Sequence, residues 1–177
     1  MQYNVAQLLL EPTGSTRSFY VERTPQRSSG TVQKVQCAQG TVHMLRTHQG
    51  ILVYATLDVE MSQDCSRCLS TYSYASSIDI EEEFLPFVDP YSGRSLATES
   101  EDSEDFHIDD EHTLDLTEAV RQYAIVDEPL KPLCQENCSG LCHSCGANLN
   151  LNPCKCQSAS IDPRWSALTE IRIPDDQ

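Results

Sequence analysis

The sequence predicts an α+β protein that is mainly an antiparallel β sheet or small barrel, with a helix and a C-terminal zinc-binding lobe. Two observations support this class. Apolar and polar residues alternate through much of the first half of the chain, and six of the nine cysteines fall within "LCQENCSGLCHSCGANLNLNPCKC". A chain of 177 residues is long enough for one substantial core. We expect a β-rich domain over residues 1–88, an acidic linker or loop over 89–113, and a helix with the cysteine-rich lobe and tail over 114–177.

The clearest predicted strand is "ILVYATLDV", where every second residue from Ile51 to Val59 is apolar. Such alternation is typical of a half-buried strand. Gly50 fits a turn from the preceding "TVHML", and "YSYASSIDIEEEF" has a second apolar face from Tyr72 to Phe84. The stretches "YNVAQLLL" and "RSFYVE" are weaker strand candidates. Together these segments predict a sheet of about five strands, which is an ordinary size.

The pattern changes twice after the strands. Prolines, serines and eight acidic residues between positions 99 and 111 indicate a loop or linker, for which a solvated run of charge is the simplest interpretation. Next, "LDLTEAVRQYAIV" has apolar residues at helical spacing, and Pro129 and Pro132 follow it, so we expect a helix that ends there. A short final helix is predicted around "DPRWSALTEI", with Trp165 packed against the body.

Charge is distributed unevenly along the chain. The formal net charge is −15, yet residues 12–57 hold five basic residues and one acidic residue. Such asymmetry predicts two surfaces for two kinds of partner. Arg17, Arg23 and Arg27 are the candidate contacts to RNA phosphates, whereas the acidic run could engage a basic protein.

The spacing of the cysteines indicates a metal site. Zinc takes four tetrahedral ligands, favours thiolate, and commonly binds C-x2-C turns. Cys142 and Cys145 form such a turn, followed by Gly146, which can adopt a positive φ. The upstream "CSRC" turn could supply a second half-site. The candidate ligands are Cys65, Cys68, Cys134, Cys138, Cys142, Cys145, Cys154 and Cys156. The spacing leaves open which four bind, and we expect one Zn²⁺ per chain.

Other roles for the cysteines are weaker. A disulfide scaffold is disfavoured because the sequence has no basic lead-in typical of an export signal and no apolar stretch that would span a membrane, so we expect a cytoplasmic protein with reduced thiols. Cys37 is isolated and is expected to be a small hydrophobe. His143 lies inside the C-x2-C turn and is expected to face solvent. No phosphate-binding loop, dinucleotide turn, nucleophile elbow or H-E-x-x-H helix is present.

Several of these features together resemble the YceD family, the large-subunit ribosomal RNA accumulation proteins of bacteria and plastids. They are "CSRCL" after a strand, an acidic middle, a helix entered by "LDL", and "PLC", "GLCHSCGANLN" and a final C-x-C pair, spanning about Ile51 to Cys156. The resemblance implies a non-enzymatic factor in large-subunit ribosome biogenesis that supports accumulation or processing of large ribosomal RNA. The expected partner is that RNA or the pre-ribosome, and the acidic run adds a basic ribosomal protein as a possible partner. We expect no association with a membrane.

Two other functions remain open from the sequence. The main alternative is a metal-dependent or thiol enzyme that acts on RNA, and a third is a zinc or redox buffer. A structural zinc site is closed by four protein ligands, whereas a catalytic site keeps one position open for water. The acidic surroundings disfavour the buffer, because they raise thiol pKa values.

Overall fold

The computed structural model describes residues 1–25, 35–96, 106–152, 154–156 and 164–165. The described residues are mostly β, which confirms the predicted fold class. Their elements are β1 (Gln2–Asn4), α1 (Ala6–Leu10), β2 (Thr16–Pro25), β3 (Val35–Arg46), β4 (Ile51–Asp64), β5 (Thr71–Pro86), β6 (Phe106–Ile108), β7 (Thr113–Asp115) and α2 (Thr117–Val126). No helix in this part of the chain has the length and apolar character needed to cross a bilayer.

The strands form a single curled sheet in the order β1-β7-β6-β5-β4-β3-β2. Strands β2 to β5 are a long antiparallel meander, and only the β5–β6 pair is parallel. The two edge strands approach each other, because the rings of Tyr3 on β1 and Phe19 on β2 lie 4.9 Å apart. The sheet is therefore a half-barrel whose edges meet through side chains.

The alternation seen in the sequence defines the core. The predicted apolar face of β4 is buried from Ile51 to Val59, and Met61 extends it. On β5, Ile78, Ile80 and Phe84 are buried on the face predicted from their spacing. Because both strands alternate cleanly, one face of the sheet is apolar and the other carries their polar residues.

The predicted helix is present and closes the concave side of the sheet. The apolar residues Ala119, Val120 and Ala124 of α2 are buried in the core. The hydroxyl of Tyr123 donates to Glu82 Oε1 at 2.9 Å, and the hydroxyl of Ser76 donates to the Asp127 carboxylate. The helix therefore runs along β5 in the opposite direction. The chain that follows α2 lies near the first residues of β5.

The first predicted strand is only partly correct. "YNVAQLLL" contributes β1, but its second half is the helix α1. The adjacent Leu8 and Leu9 are both buried, as a helix allows, whereas a half-buried strand points successive side chains to opposite faces. Arg46, itself buried, donates from Nε to the Leu9 carbonyl at 3.1 Å and from Nη1 to the Gly50 carbonyl at 2.8 Å. Helix α1 is thus anchored at the turn between β3 and β4.

The sheet has seven strands among the described residues instead of about five. The extra strands include β6, which lies in the segment expected to be a linker, and β7, which begins there. Phe106 packs on Phe84 with ring centroids 5.2 Å apart, and Ile108 and Leu114 are fully buried. Each strand has three residues, too few for a period to be visible between acidic neighbours.

Two expectations fall largely on residues that the structure does not describe. Residues 99–105 of the acidic run lie outside the described part of the chain, as does most of the predicted final helix. Trp165 is described and exposes 60% of its surface, so it is less packed than expected.

Candidate metal centres

Eight of the nine cysteines, all except Cys37, form two groups of four. The inner site consists of Cys65, Cys68, Cys134 and Cys138, and the outer site consists of Cys142, Cys145, Cys154 and Cys156. Within each group the four sulfur atoms lie within 4.8 Å of one another. All eight candidate ligands are thus brought together, and each C-x2-C turn has a partner pair of its own. The sequence led us to expect one zinc ion, whereas this geometry has two places that could hold a metal.

The inner site joins the sheet to the C-terminal lobe. Its C-x2-C turn connects β4 to β5, and the second pair of cysteines follows α2. The amide of Ser66 donates to the Pro132 carbonyl at 2.8 Å, and Arg67 Nη1 donates to the Cys138 carbonyl at 3.1 Å. Cys65 is fully buried and Cys138 nearly so. The site is therefore a small second core between two regions that are distant in sequence.

The sulfur distances of the inner site fit a tetrahedral metal. The Sγ atoms of Cys65 and Cys138 are 3.7 Å apart, as are those of Cys68 and Cys134. Four sulfurs at about 2.3 Å from a zinc ion would be separated by about 3.8 Å. A disulfide would need about 2.05 Å between sulfurs, and all nine cysteines are free thiols. No disulfide joins any of the nine cysteines in this structure.

The outer site is built from nearby residues. The amide of Gly146 donates to the Cys142 carbonyl at 2.8 Å, and the amide of Ser144 lies 3.4 Å from Cys142 Sγ. Gly146 has a φ of 71°, the positive value expected for this position. Cys142 is buried, whereas Cys145 is exposed. His143 is exposed within the turn, as predicted, and lies outside the group of four thiols.

Backbone amides lower the pKa of one cysteine in each site and so favour its thiolate. The pKa of Cys65 is lowered to about 6, chiefly by the amide of Cys134, and the pKa of Cys142 is lowered to about 6, chiefly by the amide of Cys145. Burial raises the pKa of Cys134 to about 12, and contact with Cys145 raises that of Cys156 to about 12. Four neighbouring thiolates repel one another, so a cation is the group that would let all four ionise together.

Asparagine side chains complete the surroundings of the inner site. Asn150 Nδ2 lies 3.3 Å from Cys138 Sγ, and Asn148 Nδ2 donates to Ser70 Oγ at 3.0 Å. The sequence analysis did not select either residue as functional. Their position directly after the outer C-x2-C turn, in "GANLN", was the available signal, but only the fold shows that they reach the inner site.

The predicted RNA-binding arginines are partly described. Arg17 forms an ion pair with Glu11 at 2.5 Å, and Arg23 pairs with Glu60, whereas Arg27 lies outside the described residues. Glu60 Oε2 also accepts from Cys37 Sγ at 3.3 Å. Hydrogen bonds from Ser73 and Cys37 and the charge of Arg23 hold the pKa of Glu60 below its usual value. Glu60 is thus ionised beside Arg23, which reduces the positive charge that Arg23 presents.

The described residues form a curled β sheet that four clustered thiols join to a cysteine-rich lobe, and a protein of this class could hold a metal ion where the sheet meets the lobe. A family model matches residues 53–172, and its description is "Large ribosomal RNA subunit accumulation protein YceD". The chain belongs to this family. The matched range contains both candidate metal centres, most of strand β4, strands β5 to β7 and helix α2.

Curated relatives match large parts of the chain, and a maize relative carries the family name. The chain is 30% identical over 127 residues to proteins of Mycobacterium leprae and Mycobacterium tuberculosis that are named only as uncharacterized. The match covers 72% of this chain, and the chain spans little more than half the length of these relatives. It is also 31% identical over 81 residues to the maize protein named "Large ribosomal RNA subunit accumulation protein YCED homolog 1, chloroplastic", covering 41% of this chain and 28% of that one. No solved structure matches the chain.

Proposed function

We propose that this chain is a non-enzymatic factor in large-subunit ribosome biogenesis that supports the accumulation of large ribosomal RNA and binds Zn²⁺ in both four-cysteine sites. The observation that carries the proposal is the family match over residues 53–172, which includes all eight clustered cysteines. The family name indicates a role in large-subunit RNA accumulation, and the role of this chain within that process is what we propose.

The ligand sets favour structural metal over catalysis. Four thiolates fill a tetrahedral coordination sphere, so neither site would keep a position for a reactive water. The inner site is also mostly buried, which restricts access of a large substrate. A metal-dependent enzyme acting on RNA has no comparable support. Reduced thiols at metal-ligand spacing fit the cytoplasm, which is the location we propose.

The outer face of the sheet favours a basic protein as the direct partner. Six carboxylates lie on this face of β4 and β5, namely Asp58, Glu60, Asp64, Asp79, Glu81 and Glu83. Of these six carboxylates, only Glu60 forms an ion pair with another described residue. A face with this charge attracts basic surfaces and repels phosphates. A basic ribosomal protein is therefore the contact that we propose.

Direct RNA binding is the second candidate, and it rests on the basic residues of the N-terminal third. Arg17 and Arg23 lie on β2, the opposite edge of the sheet from β1, but both pair with carboxylates. To bind RNA, each arginine would have to leave its carboxylate or contact the carboxylate and an RNA phosphate at the same time. This cost makes RNA the weaker candidate.

The cellular role is tested by deleting the gene and measuring the ratio of large-subunit to small-subunit ribosomal RNA. We expect the ratio to fall and to be restored by the wild-type gene. An unchanged ratio in the deletion strain would contradict the proposed function.

The partner is tested in the same strain with charge variants. Glu81→Lys with Glu83→Lys should fail to restore the ratio and should lose a salt-sensitive association with a basic ribosomal protein. Asp110→Lys with Glu111→Lys changes the charge equally on the acidic run and separates that run from the sheet face. If replacing Arg17, Arg23 and Arg27 by glutamine abolishes function while the sheet-face variant is fully active, RNA is the direct partner.

A further inference from the structure

Two asparagine side chains connect the outer site to the inner site. The chain passes from the inner ligand Cys138 through three residues to the outer ligand Cys142, turns at the outer site, and returns beside its own path. On this return the side chains of Asn148 and Asn150 reach back to the inner site. Specific hydrogen bonds therefore join the two sites, in addition to the packing of Leu141 against the inner cysteines.

The hydrogen bonds of Asn150 fix the orientation of its amide. Its Oδ1 accepts the backbone N–H of Ser139 at 2.8 Å, and a backbone N–H can only donate. The other end of the amide must therefore be the nitrogen, which lies 3.3 Å from Cys138 Sγ. Its second hydrogen is used by Asn148 Oδ1 at 2.9 Å. Asn150 thus has one N–H available for the sulfur and aims it there.

The position of Asn150 depends on the hairpin that carries the outer site. Leu141 and Asn148 form an antiparallel bridge, the amide of Cys142 donates to the Ala147 carbonyl at 2.8 Å, and the amide of Leu149 donates to the Gly140 carbonyl at 2.9 Å. Outer ligands lie inside this hairpin and just beyond it. Drawing the four outer thiols together would therefore hold the hairpin closed and Asn150 in place.

We infer that Asn150 is a positioning residue for the inner site and that, through it, metal at the outer site raises the metal affinity of the inner site. The inference rests on the metal binding in the proposed function and adds a coupling between its two sites. An N–H donated to a cysteine sulfur stabilises the thiolate that a metal requires. Loss of such an outer hydrogen bond typically lowers metal affinity by about 10-fold to 100-fold.

The test measures zinc binding by the full-length chain in competition with a chromophoric chelator. Asn150→Ala should weaken the inner site by about 10-fold. Asn150→Asp keeps the shape and the acceptor but has no N–H, so it should weaken the site at least as much. Asn152→Ala is the matched control, because Asn152 is exposed and no side-chain hydrogen bond joins it to another described residue. It should bind zinc as the wild type does.

Cadmium-113 NMR gives a readout that a purely structural role would not move. Each four-thiolate site yields its own resonance, and we expect Asn150→Ala to shift the inner resonance while leaving the outer one in place. Amide exchange of β4 and β5 should match the wild type, which separates a changed site from a misfolded sheet.

A double-mutant cycle then tests the coupling. Cys145→Ser with Cys156→Ser removes the outer site and should weaken the inner site by about 10-fold, but it should add little in the Asn150→Ala chain, where the connection is already lost. The inference would be overturned if the chain bound two zinc ions and Asn150→Ala left the affinity of the inner site unchanged. It would also be overturned if removal of the outer site weakened the inner site equally in the wild type and in Asn150→Ala. Either result would leave the proposed metal binding intact. A wild-type chain that binds no zinc would remove both claims.

Discussion

The two four-cysteine sites have the same ligands and different relations to the fold. The inner site joins cysteines that are 66 and 73 residues apart, and three of its four ligands are buried. The outer site draws its ligands from a single stretch, 142–156, and two of them are exposed. The inner site therefore links parts of the chain that are distant in sequence, whereas the outer site draws together one local segment and reaches the inner site only through that segment. The comparison teaches that equal coordination chemistry can make unequal contributions to stability.

Chain entropy gives this difference a direction. Closing a loop of about 70 residues costs about 1.5–2 kcal/mol more than closing one of about 10, so a metal cross-link removes more freedom from the unfolded chain at the inner site. The inner thiols also lose more solvent on folding, since Cys65 and Cys68 are buried with Cys138. An empty inner site would expose this second core.

The two C-x2-C turns differ at one informative position. Both have an amide of the residue after the second cysteine donating to the carbonyl of the first, from Leu69 to Cys65 at 2.9 Å and from Gly146 to Cys142 at 2.8 Å. Both of these residues have positive φ values, 57° and 71°. Glycine adopts this conformation without strain, whereas leucine does so at a cost of about 1–2 kcal/mol. The inner turn therefore carries strain that its surroundings must offset.

The largest expected effect is the loss of an inner ligand. Cys65→Ser should lower the free energy of unfolding by about 3–5 kcal/mol, because it disrupts a buried metal site that joins two regions. Cys145→Ser should lower it by only about 1–2 kcal/mol, because that ligand is exposed and a tenfold weaker inner site corresponds to about 1.4 kcal/mol. Denaturant unfolding followed by circular dichroism measures both. Equal losses in the two variants would break the distinction between the sites.

Chelation should empty the sites in order. A chelator should remove metal from the exposed outer site first, and amides around residues 147–152 should lose protection from hydrogen exchange. The turn from Cys65 to Ser70 should follow in a second phase, while Val53 and Leu57 in the sheet remain protected by their own core. A single phase in which all three regions open together would show that the lobe and the sheet are one cooperative unit.

Substitutions at Leu69 and Gly146, the residues with positive φ in the two turns, should change the stability by a smaller amount. Leu69→Gly should stabilise the chain by about 0.5–1 kcal/mol, because relief of the left-handed strain exceeds the entropy that glycine adds to the unfolded state. Gly146→Ala should destabilise the lobe by about 1 kcal/mol, for conformational reasons alone, since an added Cβ there meets nothing within 4 Å. Thermal unfolding of the metal-loaded proteins measures both changes, which should have opposite signs.

The smallest expected effect is that of the histidine in the outer turn. His143→Ala should leave the metal content and the unfolding midpoint within experimental error, because the side chain is exposed and lies outside the four-thiol group. Elemental analysis of the purified variant checks the metal content. A loss of one metal equivalent would mean that His143 replaces one of the cysteines as a ligand.

The elements that could be predicted from the sequence are those in which a pattern of apolar residues is repeated. The alternation from Ile51 to Val59 and the helical spacing in α2 identified the core because every period was repeated several times. The strands β6 and β7 were missed because each has only three residues, and α1 was misassigned because a short helix with two adjacent leucines resembles a buried strand.

The cysteines show a second limit of the sequence. Their spacing selected all eight candidate ligands, but three C-terminal cysteine pairs follow "CSRC" at similar distances along the chain. Only the course of α2 along β5 brings Cys134 and Cys138 to it. Asn150 could not be selected for the same reason. Its relation to Cys138 is a property of the folded hairpin and not of the spacing between the two residues.

Native mass spectrometry of the full-length chain, purified without chelator, tests the central claim most directly. We predict a mass that corresponds to two zinc ions per chain, falling to one in Cys145→Ser with Cys156→Ser. That variant should retain the folded charge-state distribution of the wild type, because the inner site remains. A wild-type chain that carries no metal, or one that loses both ions when only the outer ligands are replaced, would contradict the account of two separate sites with unequal roles.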